Sequence, residues 1–185
     1  MFGDVNVVRA IVKKNVDEVT EEEITTFLEL ATRRIQSKYT TDNWDRFVVT
    51  SQDNTELHTF ILYFEAKRLD ATKYIRQVTL DDTVLASTSY TLATDNLTLT
   101  IASATSLSGV GSVYIYYTPK IYDDLANYMA AVNIFLTKTV NVGENSVIPA
   151  IIRNLKDEIA DIDKAILHKP SIVPLVMHAE KTGVW

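Results

Sequence analysis

A chain of 185 residues with 46% hydrophobic side chains is long enough to bury a real core, which excludes a disordered polypeptide. A formal net charge of −6 argues against general affinity for the nucleic-acid backbone, which needs clustered Lys and Arg, although an acidic surface can still line a path for DNA because repulsion prevents sticking. There is no cysteine, so disulfides, thiol nucleophiles and Cys-ligated metal centres are excluded.

In Met1 to Val12 no charged region precedes a long apolar run, so this stretch is not read as a signal peptide. No apolar stretch approaches the roughly 20 residues that span a bilayer. Asp4 to Lys14 places Val5, Val8, Ile11 and Val12 on one helical face, with Asp4 suited to cap its start. Thr20 begins a clearer helix over 20–39. Thr20 followed by Glu23 is a capping box, the acids Glu21 to Glu23 favour the positive end of the dipole, and Ile24, Phe27, Leu28, Ala31 and Ile35 form an apolar stripe. The acid run is read as capping, not as a metal site.

Thr40 to Asn54 is polar and irregular apart from Trp44 and Phe47-Val48-Val49, which are expected to pin the loop to the core. A helix is expected over 55–73, with Leu57, Phe60, Ile61 and Phe64 on its inner face. His58 at its start has no evident partner for acid–base work and is given a structural or solvent-exposed role.

The character then changes. Leu97, Leu99 and Ile101 alternate with Thr98, Thr100 and Ala102, and Val113, Ile115 and Tyr117 alternate with Tyr114 and Tyr116, the period of a strand. Asp81-Asp82 and Thr94-Asp95-Asn96 supply hairpin breaks. Strands are expected near 74–80, 84–92, 97–102 and 112–118, with a mobile loop over 103–112. Gly109 and Gly111 make only a G-x-G, short of a dinucleotide or phosphate-loop fingerprint. Tyr114, Tyr116 and Tyr117 suit cross-strand packing or contacts between subunits better than base stacking, since neighbouring Lys and Arg are lacking.

Pro119 closes the last strand and suits a helical first turn. A central, well-buried helix is expected over 120–139, from the broad apolar face of Leu125, Tyr128, Met129, Val132, Phe135 and Leu136. A last helix over 147–167 carries a narrow seam of Ile148, Ile152, Leu155, Ile159, Ile162 and Ile166. By default that seam covers the bundle core; it also suits the same helix of another subunit. Pro170 and Pro174 stop the helix. In the tail beyond, Ile172, Val173, Leu175, Val176, Val184 and Trp185 are costly to leave in water, at about 25 cal/mol for each Å² of apolar area. Two uses stand side by side: docking on a partner, or folding back on the chain itself.

The fold class expected is α+β: a mainly helical bundle of about four to five helices with an antiparallel sheet block inserted between them. Residues 1–167 form one domain, with a helical base at 4–73 and 119–167 and a β insertion at 74–118; residues 168–185 are an extended arm. No G-x-S-x-G, no H-E-x-x-H and no metal-spaced ligand pair occurs, and His168 and His178 are separated by a break. The chain is not read as an enzyme, and no catalytic, cofactor or metal residue is assigned.

The order of elements carries a resemblance. A short helix (DVNVVRAIV), an acid-capped helix (EEEITTFLELATRRIQSKY), a further helix, strands containing VTLDDTVL and SYTL, a strand ending VYIYYTP, then helices: this resembles the head–tail adaptor, or connector, proteins of tailed bacteriophages and related viruses. Ala31-Thr32-Arg33-Arg34-Ile35 and the join Tyr116-Tyr117-Thr118-Pro119 are the nearest local matches, and the likeness covers roughly residues 4–167. It implies a virion protein, made in the host cytoplasm, that forms a ring of usually twelve copies beneath the portal at the capsid vertex. Double-stranded DNA would pass through the lumen without sequence-specific binding. The C-terminal residues Ile172, Val173, Leu175, Val176, Val184 and Trp185 would engage the portal protein. Tyr114, Tyr116, Leu107 and Val110 would meet a neighbouring subunit or a further neck protein. No cofactor and no membrane are implied. The alternative from the residues themselves is a binding module whose Tyr-rich strands hold a glycan or peptide.

Overall fold

A computed structural model describes residues 1–12, 19–39, 43–49, 59–67, 74–102, 105–107, 109–138 and 147–175. The protein is α+β, with four helices and two antiparallel sheets. It divides into two compact units. One is helical and takes residues 1–41 and 120–169; the other holds the sheets and takes 42–119 and 170–185.

In the helical unit, α1 (Val5–Val12), α2 (Glu21–Lys38), α3 (Ile121–Lys138) and α4 (Ile148–Leu167) lie close to the expected ranges. The signals that start them work as chemistry requires. Asp4 Oδ1 accepts the Asn6 N–H at 2.7 Å and caps α1. At α2 the capping box is complete: Thr20 Oγ1 accepts from the Glu23 N–H and the Glu23 carboxylate accepts from the Thr20 N–H. The α3 helix is central and packs on the other three. Its small residues Ala126, Ala130 and Ala131 are fully buried and allow close approach, while Leu125, Ile134 and Phe135 fill the space between helices. The isoleucine seam of α4 covers this same core: Ile148 and Leu155 are buried, and Ile152, Ile159, Ile162 and Ile166 pack half-buried against it.

The N-terminal residues are threaded into this unit. The Phe2 N–H donates to Thr32 Oγ1, the Gly3 N–H to Asp123 Oδ1 and the Asp4 N–H to Asn127 Oδ1. Gly3 has φ +87°, and a Cβ there would stand 2.5 Å from a Leu28 methyl and 2.7 Å from Asn127 Oδ1. Only glycine suits both the dihedral and the space.

In the sheet unit a four-stranded sheet runs in the order β1-β7-β3-β4 and a three-stranded sheet in the order β2-β6-β5. The strands are β1 (Asn43–Val48), β2 (Thr59–Ile61), β3 (Ile75–Leu80), β4 (Thr83–Val84), β5 (Tyr90–Leu92), β6 (Thr98–Ile101) and β7 (Ser112–Tyr117). Phe47 from the first sheet meets Phe60 from the second, ring centroids 5.1 Å apart. Around them Val78, Leu99, Ile101, Val113 and Ile115 are fully buried, so this unit has its own core.

Three expectations are corrected here. The helix over 55–73 is absent from its described part: 59–61 is strand β2, and Ala66 bridges to Pro119. Leu57 and His58 lie outside the described residues. Phe60 and Ile61 fit a helical stripe as well as a strand, and β2 is settled by pairing of Phe60 with Leu99, a contact remote in sequence. Second, the stretch around Trp44 is a strand, so the sheet unit begins at Asp42, not at 74. Third, a single strand over 84–92 is replaced by β4, a 3₁₀ turn at Ser87–Ser89 and β5.

Candidate functional site

The outward face of the four-stranded sheet gathers the most suggestive side chains. On β1, Asp45, Phe47 and Val49 turn inward and are buried, so Trp44, Arg46 and Val48 turn outward. Register then decides their neighbours. Trp44 stands opposite Tyr116, Arg46 opposite Tyr114 and Val48 opposite Ser112. On the other side of β7, Gln77 and Thr79 of β3 stand opposite Tyr116 and Tyr114.

The platform is braced. The Trp44 and Tyr114 rings are 5.6 Å apart and tilted by 58°. The Arg46 guanidinium sits 5.7 Å from the Tyr114 ring centroid and donates through Nε and Nη2 to Ser112 Oγ, at 3.3 and 3.2 Å. The cation lies flat across the sheet instead of reaching into solvent. Trp44 remains 40% exposed and Val48 37%. Trp, Tyr and Arg presented on rigid strands are the side chains that dominate protein interfaces.

The inner side of the same strands explains the rigidity. Asp45, fully buried, accepts the Tyr63 N–H at 2.7 Å and the Tyr117 hydroxyl at 2.8 Å through Oδ2; the Tyr117 oxygen in turn accepts the Phe64 N–H. This network fastens the 62–67 segment to β1 and β7. At the far end of β7, Asp81, with φ +48°, accepts the Gly111 and Ser112 N–H groups on its carboxylate. Asp45 was invisible as an anchor, because a buried Asp on a strand looks like a loop residue in sequence; Asp81 was expected only as a hairpin break, and it lies in the turn between β3 and β4.

The sequence-derived interface residues are distributed unevenly. Tyr114 and Tyr116 lie on the outward face and are half-buried. Leu107 does not: it is 1% exposed and belongs to the sheet unit's core, and Val110 packs against that core. The loop expected to be mobile is thus anchored at Leu107, with 103, 104 and 108 outside the described residues. Of the arm residues, Ile172 is 44% exposed, Val173 is buried in the sheet unit's core and Leu175 packs against it. Val176, Val184, Trp185 and His178 lie outside the described residues. Trp44 and Val48 were expected to pin an irregular loop to the core; because the stretch is a strand, Phe47 and Val49 do so, Trp44 and Val48 face outward, and Arg46 was missed. The signal available was the alternation of Trp44, Arg46 and Val48 with Phe47 and Val49.

A concavity of about 300 Å³ lies in the helical unit. Leu125, Met129 and Ile159 floor it, and Lys38, Tyr39 and Asp163 stand at its rim. Both Lys38 and Tyr39 bond to Asp163, so the rim's charges are mutually satisfied. The bond to Asp163 raises the Lys38 ammonium above its ordinary range, while burial first and then Asp163 raise the Tyr39 hydroxyl. Tyr122, packed near Tyr39, is pushed up to about 12 by burial. His168 is exposed at the end of α4, its N–H donating to the Lys164 carbonyl. Among the described residues no three His, Cys, Asp or Glu side chains are grouped to hold a metal ion, and no helix is long and apolar enough to cross a membrane.

A scan of the sequence against protein-family models finds no match, and a search of curated proteins finds none either.

Proposed function

We propose that this chain is a structural virion protein, a head–tail adaptor. Copies of it form a ring beneath the portal, extend the DNA channel and offer an attachment surface to a further neck or tail protein. DNA passes the acidic ring without sequence-specific binding. The observation that carries this reading is the outward sheet face: Trp44, Arg46, Tyr114 and Tyr116 form a braced, half-open aromatic platform with the composition of a protein-binding surface. The order of two helices, strands and two helices supports it as well, although the third helix of the expected order, over 55–73, is strand in its described part. In this reading the sheet face meets a neighbouring subunit or the neck protein, and Ile172, Val176, Val184 and Trp185 meet the portal.

Changing Trp44 and Tyr116 together to Ala tests the surface. Truncating two hot-spot aromatics at an interface costs on the order of 2 kcal/mol or more, about thirtyfold in affinity. The variant should therefore keep its melting temperature and lose assembly or partner binding. Unchanged assembly and unchanged partner binding would remove the sheet face from the proposal.

The same platform favours one alternative, a module that holds a glycan or peptide by stacking on Trp44 and Tyr114. A glycan array and a peptide pulldown separate the two readings. Binding that disappears when Tyr114 and Tyr116 become Ala, from a chain that never assembles, would favour the module.

A further inference from the structure

The concavity of the helical unit is walled by three helices of that one unit. Ile35 of α2, Leu125 and Met129 of α3 and Ile159 of α4 supply its apolar surface. Leu125 and Met129 stand one turn apart, as do Ile159 and Asp163, and Arg34 and Lys38, so each pair shares a face of its helix. At the rim, Lys38 Nζ and the Tyr39 hydroxyl both donate to Asp163, and the ammonium lies 5.0 Å from the Tyr39 ring centroid. Arg34 also lines the cavity but is not drawn into this set. Among the described residues its guanidinium makes no ion pair: Glu29, the acid nearest to it on α2, pairs with Arg33 at 4.0 Å. One turn to either side of Arg34 stand Leu30, Ala31, Ser37 and Lys38, none of them acidic. Arg34 and Lys38 against Asp163 leave the rim net positive, on a chain whose net charge is −6.

We propose that this cavity binds a small amphipathic anion, a medium-length acyl chain ending in one carboxylate. Size sets the body. An apolar cavity of about 150 Å³ takes up a benzene ring, so one of about 300 Å³ has room for roughly twice that and falls at the lower end of the range of ligand pockets. The floor is aliphatic, and Met129, unbranched and adaptable, lets it follow a flexible chain. Charge sets the head group. The planar fork of Arg34 suits a carboxylate, which accepts two of its N–H groups side by side. Lys38 neutralises Asp163, so an incoming anion meets positive charge and not a bare carboxylate. A neutral chain of the same length gains apolar burial alone, and a cationic one meets Arg34 as a like charge. Every group in the site belongs to the helical unit of one chain, so binding does not depend on assembly.

Octanoate, decanoate, decanol and decyltrimethylammonium test the site on the full chain, each below the concentration at which it forms micelles. Binding is followed by calorimetry and by the Met129 methyl resonance, assigned through its loss in Met129→Leu. Decanoate is expected to bind once per chain, to shift that resonance and to bind about tenfold more tightly than decanol, the margin of one charge-assisted pair. Arg34→Gln, at an exposed position, should leave the melting temperature unchanged and bring decanoate about tenfold down, to the level of decanol. Arg34→Lys, which keeps the charge and loses the fork, should recover part of that loss. Equal affinity for decanoate and decanol, or decanoate binding that survives Arg34→Gln, would overturn the carboxylate as the head group. Saturation that leaves the Met129 methyl unmoved would overturn the cavity as the place of binding. Tighter binding of the ammonium would overturn the sign of the rim, and no saturation by octanoate or decanoate would overturn the site outright.

Discussion

At the residue scale, two positions show how single side chains set the fold. Gly3 is held between α2 and α3 at φ +87°, with its missing Cβ already claimed by Leu28 and Asn127. Gly3→Ala adds a strained dihedral and an overlap, each costing about 1–3 kcal/mol. A urea midpoint lower by several kcal/mol equivalents is expected; a midpoint within error of the parent would mean that the N-terminal residues leave this slot. Tyr117 is the second position. Its hydroxyl bonds to the buried Asp45 carboxylate, and Tyr117→Phe leaves that acceptor short of a donor. A loss of about 1.5–3 kcal/mol is expected, measured by denaturation; a neutral effect would show that Asp45 is sustained without the Tyr117 hydroxyl. Neither position announces itself in sequence. Gly3 precedes the first helix as any linker glycine does, and Asp45, the partner of Tyr117, falls in a stretch expected to be an irregular loop.

Elements divide into those fixed locally and those fixed at a distance. The four helices were legible because their caps and apolar stripes are local: Thr20 with Glu23, the α3 face, the α4 seam. The strand β2 was not, because three residues carry no period that separates strand from helix, and Leu99 decides the matter from 39 positions away. Likewise half of the sheet face was legible. Tyr114 and Tyr116 alternate with buried Val113 and Ile115, but Trp44 and Arg46 join them only through register across β1 and β7. The α2 cap supplies a prediction at this scale. Lys138 first, then the Thr20 N–H, holds the Glu23 carboxyl below its ordinary value of 4.5. A lowered folded-state value means stability present above pH 4.5 and lost as pH falls through the folded value. Comparing the chain with Glu23→Gln, the stability gap should be present at neutral pH and close in acid. A gap that persists unchanged below pH 3 would assign the effect to packing instead of charge.

For the whole molecule, each unit has its own core, yet large apolar side chains stay in water. Leu136 is 54% exposed and Leu167 67% in the helical unit, and Val84 is 60% exposed in the sheet unit. Singly these are ordinary. Together with the aromatic platform they fit a subunit that is completed by copies of itself and a docking partner. The measurement that tests this most directly is molar mass by size exclusion with light scattering, on the chain alone and with a portal protein from the same genome. Assembly predicts a mass many times the 20.8 kDa of one chain, alone or on the portal. A single species of 20.8 kDa at every concentration, unchanged by the portal, would contradict it.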